Sequence, residues 1–329
     1  MVTTDRRVGS SGLLVSATGL GCNNFGRAGT VTETIAGSRL VLDAAIDSGV
    51  TFLDTADIYG KEPGLSESLM GEVLDGRRDR VVLATKFGHG HYDMGYDFPA
   101  GMGSRRYIRR AVEESLRRLR TDWIDLYQLH FPDPVTPIEE TVDALDELVR
   151  DGKIRYFGHS NFSGWQIAEA EFVAARRLGP RFVSAQNQYS LLARAAEREV
   201  LPAVNRYGLG FFPYFPLHNG LLTGKFTRDG GPAQSRIMST RSHLWENAPW
   251  DALDAYRAFC DERGITMLEA TFGWLLAQPG VSSVIAGATS AEQVEANARA
   301  GSAWTPSDED LDAIDALFPL PADPAAGAV

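Results

Sequence analysis

The sequence predicts a barrel of eight parallel strands that alternate with helices within a single domain. Eight short runs rich in β-branched or aromatic residues recur along the chain, and longer amphipathic segments separate them. Strands that alternate with helices indicate a parallel sheet, and eight such units indicate a barrel. The length of 329 residues fits one domain of this kind, because α/β barrels of roughly 250 residues or more are common.

The first predicted element is a β-hairpin at residues 6–16, which turns around Ser10–Gly12 and is placed to close the bottom of the barrel. The eight barrel strands are predicted at residues 17–22, 50–54, 81–86, 124–130, 154–159, 182–187, 209–214 and 283–287.

The segment at residues 105–120 shows the helical pattern between strands most plainly. Ile108, Val112, Leu116 and Leu119 recur there at helical spacing, with arginines on the opposite face. A second helix is predicted to begin at Pro137 and to end near Gly152, since proline favours the first turn and glycine the C-terminal end.

Two long loops and a tail interrupt the alternation. Residues 88–104 are rich in glycine and aromatic residues and follow a strand, and residues 218–250 connect the last two strands. Loops of this length in a compact domain are usually functional. We therefore predict a barrel domain over residues 1–318 and a disordered tail over residues 319–329.

Composition and charge restrict the class of protein. The hydrophobic fraction of 44% is enough for a large core, and no apolar run is long enough for a membrane span. The net charge of −11 argues against a nucleic-acid-binding surface, although local cations can still bind a small anionic ligand. The N-terminus does not read as a signal peptide, and only two cysteines occur, so we expect a cytoplasmic protein with reduced thiols.

Four residues at or just beyond predicted strand ends form a candidate site: Asp54, Tyr59, Lys86 and His130. Parallel barrel strands bring their C-terminal ends to one face, where active sites lie. A lysine ammonium beside a tyrosine stabilises the phenolate and lowers the phenol pKa, and a buried lysine needs a carboxylate partner. With a histidine to orient a carbonyl oxygen, this set makes a proton donor for carbonyl chemistry.

Each of these side chains has a plainer interpretation on its own. Tyr59 precedes a glycine and is typical of a turn, while His130 is typical of a buried core residue at a strand end. A lysine at a buried strand end, as at Lys86, is uncommon. The joint occurrence of all four residues at strand ends favours a functional site.

The chain resembles the aldo-keto reductases over nearly its whole length. The matching segments are FLDTADIYG, VVLATKFG, SLRRLRTDWIDLYQLHFPDP, GKIRYFGHSNF, QNQYSLLAR, PYFPLHNGLLTGKF and VIAGATSAEQVEAN. The resemblance implies a (β/α)8 TIM barrel that reduces a small carbonyl compound with NADPH and forms NADP+. It implies that Tyr59 is the general acid, that Lys86 and Asp54 tune it, and that His130 orients the carbonyl.

The same resemblance implies a cofactor site along the barrel mouth. Its first part, around the nicotinamide, is Gly21, Cys22, Asn23, Asp54, Ser160, Asn161, Gln186 and Tyr214. Its second part, along the pyrophosphate and the adenosine, is Phe215, Pro216, Leu217, His218, Asn219, Leu221, Lys225, Arg236, Gly287, Thr289, Gln293 and Asn297. Tyr214 is implied to stack on the nicotinamide, and Lys225 and Arg236 to favour NADPH over NADH.

Two alternative functions stay open at this point. Some segments are similar to reductases that act on nucleotide-linked keto-deoxysugars. Potassium channel β subunits carry the same barrel, which would make this chain an NADPH-sensing regulatory module, although the presence of His130 favours an enzyme. The sequence leaves the oligomeric state, the substrate and the direction of the reaction open.

Three further patterns are weaker. GLGCNNFG at residues 19–26 lacks the glycine spacing and the strand–helix–strand context of a dinucleotide fingerprint. His89 and His91 are too few for a metal site by themselves. Trp245 and Trp250 are equally compatible with a substrate pocket and with ordinary packing.

Overall fold

The structure is a computed structural model that describes residues 5–90, 92, 94–96, 101–177, 179–233 and 235–320. The strands are β1 (Asp5–Arg7), β2 (Leu14–Ser16), β3 (Thr18–Gly21), β4 (Phe52–Asp54), β5 (Val82–Phe87), β6 (Ile124–Leu129), β7 (Ile154–Ser160), β8 (Ser184–Gln188), β9 (Gly210–Tyr214) and β10 (Val284–Gly287). The α-helices are α1 (Ile35–Asp47), α2 (Leu65–Val73), α3 (Arg105–Leu119), α4 (Ile138–Arg150), α5 (Gly164–Arg177), α6 (Val200–Tyr207), α7 (Arg236–Thr240), α8 (Ser242–Glu246), α9 (Trp250–Glu262), α10 (Met267–Ala277), α11 (Ala291–Ala303) and α12 (Asp308–Leu317).

The eight strands β3 to β10 form one parallel sheet, in the order β10-β3-β4-β5-β6-β7-β8-β9. The two ends of this sheet approach each other, because Phe211 of β9 forms an isolated parallel bridge with Val281, just before β10. The sheet therefore curls into a nearly closed (β/α)8 barrel, and all eight predicted strands are confirmed.

The barrel interior is filled by one small cluster of buried side chains. Phe52, Ala84, Leu126, Phe212 and Ile285 point inward from their strands and pack with Val8, Leu13 and Val15 of the hairpin. Strands β1 and β2 pair antiparallel, with Asp5 opposite Ser16. The hairpin is held by a hydrogen bond from the Ser10 amide to the Gly208 carbonyl, so the prediction that it closes the barrel bottom is confirmed.

The outward faces of the strands and the inner faces of the helices form the larger core. In α3, the four residues predicted from helical spacing are buried, and Ser104 caps the helix by accepting a hydrogen bond from the Tyr107 amide. Helix α4 ends at Arg150, and Gly152 follows with φ +74°, a left-handed conformation that favours glycine.

The long connection at 218–250 is structured. It contains a 3-10 helix at His218–Thr223 and the short helices α7 and α8. Trp245 and Trp250 pack on a satellite core of Leu221, Phe226 and Ile237, with their ring centroids 6.1 Å apart. This contact favours the packing interpretation of the two tryptophans.

The other two irregular segments lie partly outside the described residues. Within 88–104, the described residues contain no helix or strand before α3. Residues 321–329, where we expect a disordered tail, lie outside the described ranges, so the boundary at residue 318 stays a prediction. No helix in the described part of the chain combines the length and the apolar character that crossing a bilayer requires.

Candidate active site

The structure brings the four predicted residues together at the C-terminal ends of neighbouring strands. Asp54 is the last residue of β4, Lys86 lies near the end of β5, and His130 follows β6 directly. The Lys86 ammonium is 5.3 Å from the centroid of the Tyr59 ring, and the Tyr59 and His130 rings meet edge to face at 6.0 Å. Tyr59, five residues after Asp54, thus returns over the ends of β5 and β6.

Lys86 is a fully buried ammonium that is held by hydrogen bonds. Its Nζ donates to Asp54 Oδ2 at 2.6 Å and to the Thr55 carbonyl at 3.0 Å. Burial lowers the pKa of Lys86, but the negative charge of Asp54 and the interaction with Tyr59 outweigh it, so the pKa is raised. Lys86 therefore stays charged at neutral pH.

Asp54 is shared by donors from three strands. While Oδ2 accepts from Lys86, Oδ1 accepts from Gln128 Nε2 at 3.1 Å and from Gln186 Nε2 at 3.2 Å. A buried carboxylate is tolerated when such partners compensate its lost hydration. Gln128 is a site residue that the sequence analysis missed, although it lies two residues before His130, and residues two apart along an extended segment face the same side.

Tyr59 differs from expectation in the direction of its pKa shift. Burial raises its pKa, Lys86 lowers it and Asp54 raises it, and the net result is a pKa above the ordinary value. The predicted lowering by Lys86 is present but is outweighed by burial, because a phenolate in this enclosed position loses its hydration. Tyr59 is therefore a protonated phenol at neutral pH, which is the form of a proton donor.

His130 is a neutral imidazole. Burial, the Lys86 charge and His89 all lower its pKa, well below the ordinary value. Its Nδ1 is buried and has no hydrogen-bond partner in the described part of the chain. The His89 ring meets His130 edge to face at 4.8 Å, and Phe131 stacks beside it at 5.5 Å. A neutral imidazole offers one N–H donor and one acceptor nitrogen.

A chain of hydrogen bonds joins the ends of β6, β7 and β9 beside His130. Tyr214 Oη donates to Asn161 Oδ1 at 2.9 Å, and Asn161 Nδ2 donates to the His130 carbonyl at 2.9 Å. Ser160 Oγ donates to the Gln186 carbonyl at 2.7 Å. Asn161 has φ +62°, a left-handed conformation that asparagine adopts more readily than most residues. These bonds fix the backbone on which His130 stands.

Several of the residues predicted to hold a cofactor lie in barrel strands, most of them at the strand's last residue. Gly21 ends β3, Ser160 ends β7, Tyr214 ends β9 and Gly287 ends β10, and Gln186 lies in β8. The others follow these strands: Cys22, Asn23, Asn161, Phe215, Pro216, Leu217, His218, Asn219, Leu221, Lys225, Arg236, Thr289, Gln293 and Asn297.

The start of α11 is built around a capping residue, Ser290. The Ser290 hydroxyl accepts from the Gln293 amide, and Gln293 Oε1 accepts from the Thr289 amide at 2.8 Å. Asn297 is buried, and its backbone carbonyl accepts from Thr18 Oγ1 at 3.3 Å. The side chain of Gln293 is thus already engaged within its own helix turn.

Two cationic residues beside Arg236 escaped the sequence analysis. Burial lowers the pKa of Arg236 to about 10, and the nearby positive charges of Arg27, in the loop after β3, and Arg241, just after α7, contribute to the lowering. In the described ranges none of the three arginines forms an ion pair with a carboxylate. A half-buried group of unneutralised guanidiniums fits the phosphates of a dinucleotide.

The described residues offer no metal site. They contain no group of three or more histidine, cysteine, aspartate or glutamate side chains arranged to hold an ion. His89 instead contacts the rings of Tyr92, His130 and Phe131. His91 lies outside the described residues.

Comparison with known proteins identifies relatives over nearly the full chain. The model of the aldo/keto reductase family matches residues 18–318. An uncharacterized oxidoreductase, YrpG, of Bacillus subtilis (strain 168) is 40% identical over 294 residues, which cover 87% of each chain. A probable voltage-gated potassium channel subunit beta of Oryza sativa subsp. japonica is 35% identical and covers 90% of each chain. An L-glyceraldehyde 3-phosphate reductase of Escherichia coli (strain K12) is 32% identical, over 94% of this chain and 91% of its own.

Proposed function

Because this chain belongs to the aldo/keto reductase family, we propose that it is an NADPH-dependent oxidoreductase that reduces an aldehyde or a ketone to an alcohol. The observation that carries the proposal is the contact set of Tyr59, Lys86, Asp54 and the neutral His130 at one barrel face. We place the protein in the cytoplasm, which the two free, buried cysteines support.

In the proposed reaction Tyr59 gives its phenolic proton to the carbonyl oxygen of the substrate. Bound NADPH supplies the hydride for the carbonyl carbon, so one hydride and one proton convert C=O to CH–OH. The ammonium of Lys86 stabilises the phenolate that remains on Tyr59, and Asp54 keeps that ammonium charged and oriented. The tyrosine then regains its proton from solvent.

His130 acts through its N–H on the same carbonyl oxygen. As a neutral imidazole it donates one hydrogen bond without placing a second positive charge beside Lys86. Its position is held by Asn161 through the backbone carbonyl. His130 therefore orients the carbonyl towards Tyr59.

The cofactor preference is proposed from charge. Lys225 and Arg236 have no carboxylate partner in the part of the chain that the structure describes, and they follow β9 on the cofactor side. Two such cations favour the extra 2′-phosphate of NADPH over NADH.

The substrate class stays a prediction. The L-glyceraldehyde 3-phosphate reductases at 32% and 33% identity suggest a small hydroxylated aldehyde, and the segment similarities suggest a nucleotide-linked keto-deoxysugar. Both are carbonyl compounds, and the proposed reaction of the four residues at the strand ends applies to either one.

The test measures NADPH oxidation over a panel of simple aldehydes, glyceraldehyde 3-phosphate and keto sugars, for wild type and Tyr59→Phe. We expect Tyr59→Phe to retain NADPH binding and to lose about a thousandfold or more in turnover, the scale of general acid catalysis combined with proton delivery. Tyr207→Phe, a half-buried tyrosine of α6, is the matched control and should keep full activity.

Full turnover by Tyr59→Phe would remove the assignment of the proton donor. The potassium channel β-subunit relative makes a regulatory module the second candidate. Tight NADPH binding by the wild type, with no turnover on any compound of the panel, would favour that module.

A further inference from the structure

Three arginines that have no carboxylate partner among the described residues stand together on the rim of the barrel mouth. Arg27, Arg236 and Arg241 are each half-buried, and each lies within electrostatic range of another. By contrast Arg228, on the same long connection, pairs with Asp251 and Asp254. Like charges held together without a carboxylate destabilise the free protein, so an anionic ligand is the natural counterpart of the cluster.

The two newly found arginines are oriented by neutral partners, which leave their charge uncompensated. Arg27 Nη2 donates to the Asn23 carbonyl at 3.1 Å. Arg241 Nη1 donates to Asn219 Oδ1 at 2.8 Å, and its guanidinium lies 5.7 Å from the Phe215 ring centroid. Each guanidinium is thus positioned in advance and keeps other N–H donors for an oxyanion.

The two arginines approach from opposite sides of one strand. Arg27 follows β3 and Arg241 follows β9, and β10 lies between these two strands. At the end of β10, a Cβ atom built on Gly287 would lie only 3.2 Å from Asn24 Nδ2, so the loop after β3 reaches over that strand end. A ligand that crosses the end of β10 would therefore meet both guanidiniums.

We propose that Arg27 and Arg241 bind the diphosphate that joins the two halves of the dinucleotide, while Arg236 and Lys225 contact its 2′-phosphate. The inference rests on the proposed function. Arg241 is hydrogen-bonded to Asn219, in the segment expected beneath the diphosphate. Arg27 lies close enough to Tyr59 for its positive charge to act on that side chain, which places it towards the reacting end of the cofactor.

A binding experiment, which needs no turnover, distinguishes contacts with the diphosphate from contacts with the 2′-phosphate. Dissociation constants for NADPH and for NADH are measured by protein fluorescence or calorimetry. The variants are Arg27→Gln, Arg241→Gln and Arg236→Gln. Arg39→Gln, an exposed arginine of α1, is the charge-matched control.

We expect Arg27→Gln and Arg241→Gln each to weaken NADPH and NADH by the same factor, about tenfold to a hundredfold, since both nucleotides carry the diphosphate. Arg236→Gln should weaken NADPH much more than NADH, and Arg39→Gln should change neither. Removing a repelling charge should also leave the thermal unfolding midpoint of the free protein unchanged or raised.

Unchanged affinity for both nucleotides in Arg27→Gln and Arg241→Gln would overturn the inference. Loss of NADPH affinity alone would also overturn it, because the residues would then contact the 2′-phosphate. Arg27 and Arg241 lie in separate segments of the chain, so the inference can be tested even if only one of the two variants folds. A wild type that binds neither nucleotide would instead refute the proposed function.

Discussion

The buried ion pair of Lys86 and Asp54 permits a quantitative prediction about stability. The side chain of Lys86 is fully buried and that of Asp54 is 5% exposed. The distance between Lys86 Nζ and Asp54 Oδ2 is 2.6 Å. Asp54→Asn keeps the shape of the side chain but removes the charge that compensates the ammonium. Breaking one partner of a buried pair costs about 3–5 kcal/mol.

That cost converts to a temperature. With an unfolding entropy of about 2.1 cal/mol/K per residue, a chain of 329 residues loses about 1.5 °C per kcal/mol. Asp54→Asn should therefore lower the thermal unfolding midpoint by about 4–7 °C, measured by calorimetry or circular dichroism at pH 7. Lys153→Met, at a more exposed lysine paired with Glu113, should lower it by about 1 °C or less.

A second substitution isolates the charge as the cause. In Asp54→Asn/Lys86→Met no buried ammonium remains, and the cost should approach that of an unpaired amide, about 1–3 kcal/mol. The loss in the double variant should thus be smaller than the sum of the losses in Asp54→Asn and Lys86→Met.

The pH dependence provides a further check. Without Asp54, burial lowers the folded-state pKa of Lys86 below its ordinary value of 10.5. Between that lowered pKa and 10.5 the unfolded chain binds the proton that the folded chain releases, so the deficit against wild type should shrink as pH rises from 7 to 9.5. Additive losses in the double variant, or a deficit that does not change with pH, would refute the reasoning.

Two further predictions concern the support of the site. Asp57 is fully buried with both carboxylate oxygens unpaired in the described part of the chain, and burial together with Glu67 raises its pKa well above 3.8. A carboxyl group whose pKa is raised in the folded state destabilises the protein as pH rises, so Asp57→Asn should be more stable than wild type at pH 8 by about 1–3 kcal/mol. This difference in stability should narrow towards pH 5.5. Equal unfolding midpoints of the two proteins at every pH would contradict the prediction. A Cβ on Gly71 would lie 2.3 Å from the Arg118 carbonyl oxygen, so Gly71→Ala should lower the free energy of unfolding, measured in urea, by about 1–3 kcal/mol. The space around Gly76 is open. Gly76→Ala should therefore cost no more than the strain of its left-handed backbone, about 1–2 kcal/mol.

The local pattern of the sequence was sufficient for the framework of this protein. A buried strand requires a short apolar run and an outer helix requires an apolar stripe, and both are readable along the chain, so the eight strands and the hairpin were predicted within a few residues. The meeting of Asp54, Lys86 and His130 followed from the same framework, because parallel barrel strands end on one face.

Other features depended on distances that no local pattern contains. The net pKa shift of Tyr59 is a balance between burial and the distance to Lys86, and the burial was not visible in the sequence. Gln128 and Gln186 lie on separate strands and converge on one oxygen of Asp54 only in the closed barrel.

The arginine cluster shows the same division most clearly. A lone arginine in a loop is usually a solvated charge, so neither Arg27 nor Arg241 stood out along the chain. Only the folding of β3, β9 and β10 into neighbouring positions brings Arg27 and Arg241 to the same rim.

The sequence by itself determined the barrel and the residue types at its strand ends, since these depend on local burial. The tertiary structure decided which charges act on one another, because electrostatic interaction depends on separation in space and on burial.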